Sequence, residues 1–179
     1  FFLRAFGMQR IRDVVARFMR LPWSASAVTA EAGGGSGVPS SLQATIEQLR
    51  YWMPTVADVA HIWESEGGGA WCFSLKPRAK GACPVSVMLG ESGHFDLTIA
   101  GKTYEHCVLD QLDHLLPLIE RITDGHVLQR HWASRATGVS LGVETIVSLG
   151  HGRVWRAGAI APDGDAVSSD RHFVPYRRI

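Results

Sequence analysis

The chain has 179 residues, of which 46% are apolar and 20% charged, and a formal net charge of +1. That length supports one domain with its own core, and the balance excludes wholesale disorder. A charge this near zero gives no electrostatic ground for a nucleic-acid partner, and no run reaches the ~20 apolar residues of a membrane span.

Positive charge is carried almost wholly by Arg, with Lys only at 76, 80 and 102. Guanidinium groups suit bidentate anion and interface contacts better than ammonium groups do. The three cysteines, at 72, 83 and 107, form no close pair. An odd, dispersed set reads as free thiols in a reducing, intracellular and cytoplasmic setting, not as a disulfide framework.

Residues 1–22 read as a basic amphipathic helical arm. Leu3, Ile11, Val14, Phe18 and Leu21 follow helical spacing, and Arg4, Arg10, Arg12, Arg17 and Arg20 stand against the single acid Asp13. Such a helix docks on its own body, a second copy, a partner's groove or an anionic membrane surface. Arg10, Arg17 and Phe18 are the residues expected at such a contact. The arginines break up the apolar core of a secretory signal, whereas organelle targeting by the arm stays open. Residues 23–39 read as a Gly/Ser/Ala-rich linker, and the run Gly33–Gly37 lacks the Lys-Ser/Thr of a phosphate loop. Residues 40–165 then form a single domain and 166–179 a basic tail.

The domain opens with an expected helix pair over 40–53 and 55–66. Ser40 with Gln43 makes a capping-box pattern, Leu42, Ile46, Leu49 and Met53 make one stripe, and Pro54 stops it. Thr55 with Asp58 repeats the cap, Val56, Val59, Ala60 and Trp63 line the buried face, and Gly67 reads as a carboxyl stop. His61 and Glu64 would share a face there. Two such groups without a matching second pair do not make a metal site.

Ala70–Leu75 is an expected strand, and the 76–81 loop carries Lys76, Arg78 and Lys80 as a candidate anion site. A meander follows. Val85, Val87 and Leu89 share a face by period two, as do Phe95, Leu97 and Ile99. Placing Gly90 opposite His94 joins these two faces. A turn at Gly101-Lys102 sets Ile99 against Tyr104 and Leu97 against His106. His106 then lies on the apolar face and Cys107 on the other.

Read as one helix, His106, Asp110 and His114 would stack as three metal ligands. Asp110 is better placed as a helix cap, which leaves His106 in a strand, so no metal and no cofactor is expected. Leu112, Leu115, Leu116, Ile119 and Ile122 form the stripe of this helix, and Pro117 demands a kink or a later start near Asp113. Asp124-Gly125 ends it.

A second meander spans His126–Ser134, Val139–Leu149 and Arg153–Ala161. Its parity sets Trp132 against Leu141 and Val147 against Trp155. Arg130 falls opposite Val143 on the apolar face, which makes Arg130, with its neighbour His131, a candidate ligand site. Tyr176 and Arg177 in the basic tail are further partner-contact candidates.

No paired CxxC, HExxH, GxSxG or Walker motif is present. The order predicts an α+β fold: an antiparallel sheet of two β-meanders flanking a central helix, preceded by the helix pair and the arm. The leading functional expectation is a small binding or assembly protein. It would hold a protein partner, or a second copy, through its arm, sheet face or tail. The alternative is an enzyme or small-ligand binder with a pocket between sheet and helices around Arg130.

Overall fold

The computed structural model describes residues 40–90, 94–107, 114–159 and 164–177, which fall in one compact unit, Gly37–Ile179. The expected arm and linker, with Arg10, Arg17 and Phe18, lie outside the described residues, as does Asp110.

Helix α1 spans Ser40–Trp52 and buries Leu42, Ile46 and Leu49. A single 3-10 turn, Met53–Val56, follows and adds Met53 and Val56 to the core. The expected second helix over 55–66 does not form. The chain instead enters strand β1, Ala60–Gly67, and doubles back as β2, Ala70–Pro77. The turn is Gly68-Gly69, with φ of 63° and 77°. Two successive positive φ values are the type I′ geometry that matches strand twist. The glycine run is thus a hairpin turn and not a helix stop, and pairs such as Ile62 with Leu75 replace helical bonds.

Strands β3 (Val85–Gly90), β4 (Phe95–Ile99) and β5 (Lys102–Cys107) complete a five-stranded antiparallel meander in the order β1-β2-β3-β4-β5. Val87 pairs with Leu97, and the Gly90 N–H donates to the His94 carbonyl at 3.3 Å, the register that side-chain parity predicts. The next hairpin departs from expectation. Its turn is Ala100-Gly101, so Ile99 faces Lys102 and Leu97 faces Tyr104. A bulge then intervenes: His106 has φ of 53°, and its N–H donates to Asp96 Oδ1 at 2.8 Å. The extra residue inverts the faces that follow. His106 is exposed, and Cys107 packs against the core opposite Phe95, the reverse of the expected arrangement.

Helix α2 runs from Leu115 to Thr123. Pro117 sits in its first turn, where backbone N–H groups have no intrahelical acceptor, so the proline fits. Leu115, Leu118, Ile119 and Ile122 are buried. The helix ends in a Schellman motif: the Gly125 N–H donates to Ile122 O at 3.1 Å and the His126 N–H to Arg121 O at 3.0 Å.

The remaining strands are β6 (Val127–Ser134), β7 (Ser140–Gly150), β8 (Arg153–Gly158) and β9 (Ala166–His172). They form a second antiparallel sheet, ordered β8-β7-β6-β9. Residues 166–172, expected in a tail, therefore make an edge strand paired along β6. Val147 faces Trp155 as parity predicts. Between β6 and β7 the register is one residue from expectation: Arg130 faces Glu144, and the irregularity falls at Trp132/Ala133.

The fold is mixed α+β with two antiparallel sheets of five and four strands. One core unites the inner face of the first sheet, α1, α2 and the Val127–Val147 part of the second sheet. Buried polar groups tie the sheets together. Tyr104 Oη donates to Thr145 Oγ1 at 2.5 Å, and Gln129 Nε2 donates to Ile99 O at 3.3 Å. Among the described residues no helix is long and apolar enough to cross a membrane.

Candidate functional site: the outer face of the five-stranded sheet

Strand registers place the polar residues. Along β1–β5, Ile62, Leu75, Val85 and Ile99 point inward, as do Phe73, Val87, Leu97 and Tyr104 in the next row. The residues between them point outward. One outward row runs Trp63, Ser74, Ser86, Thr98, Thr103, and a second runs Ser65, Cys72, Met88, Asp96. None of these belongs to the buried core. Both helices bury their apolar sides in the core on the opposite face.

The outward hydroxyls pair, one donating to the other: Ser74 Oγ meets Ser86 Oγ at 2.8 Å, and Thr98 Oγ1 meets Thr103 Oγ1 at 3.0 Å. Trp63 stands at the β1 edge of this surface, 51% exposed. His61 and Lys76 are paired on the adjoining positions, and Arg78 and Lys80 follow in the β2–β3 connection, all exposed. Among the described residues Lys76, Arg78 and Lys80 take part in no ion pair. His94 and His106 lie edge-to-face at the other end, ring centroids 6.4 Å apart. Burial, and secondly the Asp96 charge, pushes the Cys72 thiol up, so it is no activated nucleophile.

The other candidates are committed elsewhere. Arg130 lies on the solvent side of the second sheet, where Nε and Nη2 donate to Asp170 Oδ1 and Oδ2 at 2.8 and 2.9 Å. Those hydrogen bonds hold the Asp170 carboxyl below its ordinary range. The expectation that Arg130 sits on the apolar face fails because the register moves by one residue. His131 is half-buried on the inner side, facing Val143 and Ser169. Tyr176 is buried and donates to the Cys83 carbonyl at 2.6 Å, so its ring is used within the domain. Arg177 is exposed, and its Nη2 donates to Thr55 O and Asp58 Oδ1, each at 2.6 Å.

Glu64 is not a partner for His61, since neighbours of opposite parity on β1 point to opposite faces. Its Oε1 accepts from Trp71 Nε1 and from Arg50 Nε, both at 2.6 Å, and Arg50 Nη2 also reaches Glu66 at 3.0 Å. The Trp71 bond first, then Arg50, keeps the Glu64 carboxyl below its usual range. Among the described residues no group of three or more His, Cys, Asp or Glu could hold a metal.

A shallow groove of about 620 Å³ is lined by Trp52, Thr55, Val56, Glu120, Arg121, Thr123, Asp124 and Arg177. Arg121 Nε is bound to Ser148 O at 2.9 Å. With Arg177 also engaged, the groove's two cations both serve the fold. Arg130 is not part of it.

The sequence places Trp63 on the buried face of the expected second helix and gives no sign of the Ser/Thr rows; the residue is instead 51% exposed on β1. The signal was the Gly67-Gly68-Gly69 run, which converts the preceding segment from helix to strand and so decides which way Trp63 points. No family model, no curated protein and no solved structure matches this chain.

Proposed function

We propose that this chain is a protein-binding module that lays an acidic, partly apolar segment of a partner across the outer face of β1–β5. The observation that carries this reading is the sheet face left open among the described residues, with Trp63 half-exposed at one edge and Lys76, Arg78 and Lys80, in no ion pair among those residues, beside it. Each Ser and Thr pair already uses one of its two hydroxyl protons within the sheet, which lowers the cost of covering it, and the remaining proton is free to donate to a partner's carboxylate or carbonyl. An exposed tryptophan is the side chain most often found at the energetic centre of an interface. The cation cluster supplies electrostatic selection and speeds encounter. The basic arm, on its sequence alone, is a second contact. Three free thiols suit a reducing compartment.

Selection from a random peptide display library on the immobilised chain tests this. Enriched peptides are expected to carry Asp or Glu beside aromatic or aliphatic residues. Their binding is expected to drop at least tenfold in Trp63→Ala, Ser86→Arg and Arg78→Glu with unchanged circular dichroism. Peptides indifferent to all three substitutions, or no enrichment, would refute it.

A further inference from the structure

The edge strand β9 presents a second surface, distinct from the outer face of the first sheet. Backbone bonds from the Phe173 N–H to Val127 O (3.3 Å) and from the Arg135 N–H to Asp165 O (3.0 Å) fix the alternation along β6 and β9. Residues 165, 167, 169, 171 and 173 therefore turn their backbone groups to β6. Ser168, Asp170 and His172 turn theirs away, where no described strand lies. The same edge is occupied further on, since the Val174 N–H donates to Gly81 O at 3.2 Å. Among the described residues the free edge is thus short and bounded, and it carries neither the proline nor the lysine that usually blunts one.

We propose that β9 is the two-fold contact of a symmetric dimer, pairing antiparallel with β9 of a second copy with Ser169 on the axis. The argument is complementarity. In this register Ser168 faces Asp170 of the other copy in a hydrogen-bonded pair, so the serine hydroxyl meets a carboxylate. On the inner side Ser169 faces its own copy, and Arg171 faces Val167, which is 41% exposed in the single chain. The aliphatic stem of Arg171 would cover that valine while its guanidinium keeps its place over the Phe173 ring, 4.7 Å from the centroid. No like charges stand directly opposite. Moving the axis to Arg171 would set two guanidinium groups against each other, which is destabilising. The chain also leaves the strand at the right place. Gly164 has φ of 99° and the Ala166 N–H bonds back to Gly164 O at 3.0 Å. β9 itself begins only at Ala166, short of the other copy's Gly81–Ala82, where Val174 already pairs. The result would be a continuous eight-stranded sheet closed by an isologous contact.

Sedimentation of the full chain over a concentration series tests the proposal. The parent chain is expected as a dimer. Ser168→Pro removes an outward N–H without touching the β6 ladder, and Ser169→Asp sets two carboxylates on the axis. Both are expected to sediment as folded monomers. Mixing Ser169→Asp with Ser169→Lys is expected to restore a dimer, a rescue that damage to the fold could not produce. A parent chain that stays monomeric throughout, or a dimer that survives both single variants, would overturn the assignment.

Discussion

Gly125 is the residue at which one added methyl group separates two costs. Its φ is 80°, and a Cβ built there would meet the Pro175 nitrogen at 2.7 Å, the Val174 carbonyl carbon at 2.8 Å and the Phe173 carbonyl oxygen at 3.0 Å. Gly101 has nearly the same φ, 85°, but a Cβ there meets nothing within 4 Å. Gly101→Ala should therefore lose only the left-handed strain, about 1 kcal/mol. Gly125→Ala adds the displacement of backbone 173–175. That movement loosens Phe173 and Tyr176, 5% and 4% exposed, each contributing roughly 1.5–3 kcal/mol when fully buried. Losing about half of that burial adds about 1.5–3 kcal/mol, so Gly125→Ala should destabilise by about 2.5–4 kcal/mol in all. Urea unfolding followed by tryptophan fluorescence measures both variants. Equal losses at the two positions would refute the reasoning, because strain is common to both and only the clash differs.

Two further outcomes follow from buried polar groups. Tyr104→Phe removes the donor to Thr145 Oγ1 between the sheets and should cost about 1–2 kcal/mol by urea unfolding; a neutral result would mean that the inter-sheet bond contributes nothing. Burial pushes the Cys83 thiol up to about 12 and raises the Tyr176 phenol as well. Both groups are raised and neutral in the fold, so their stabilisation is complete below the ordinary thiol range, about 8.5, and is lost as pH climbs toward the folded values. Cys83→Ala should flatten the first part of that decline, between pH of about 8.5 and 11. An unchanged slope over that interval would remove Cys83 as its source.

What the sequence revealed depended on whether a register could be settled locally. Between β3 and β4 parity was enough: two apolar triplets and one turn length admit a single face-matching alignment, and Val87 does meet Leu97. The 55–66 segment misled because Thr55, which resembles a helix cap, lies inside the Met53–Val56 3-10 turn and caps nothing. What decided it was the type I′ turn further on. His106 and Arg130 were misplaced by irregularities, one in β5 and one at Trp132/Ala133, each moving a register without changing hydrophobic alternation. The least legible member of the second sheet is its edge β9, a polar strand with no apolar period of its own. It is a strand because β6 offers it backbone partners.

That dependence sets an order of events during synthesis. β6 is an interior strand only once β9 has been made, and Tyr176 and Arg177 close contacts across 93 and 122 residues of sequence. Such distant closures slow folding, since the entropy of a long loop is lost before the contact returns anything. Until β9 arrives, a nascent chain carries β6 as a bare edge with backbone groups at Val127, Gln129 and His131 unpaired, open to any other strand nearby.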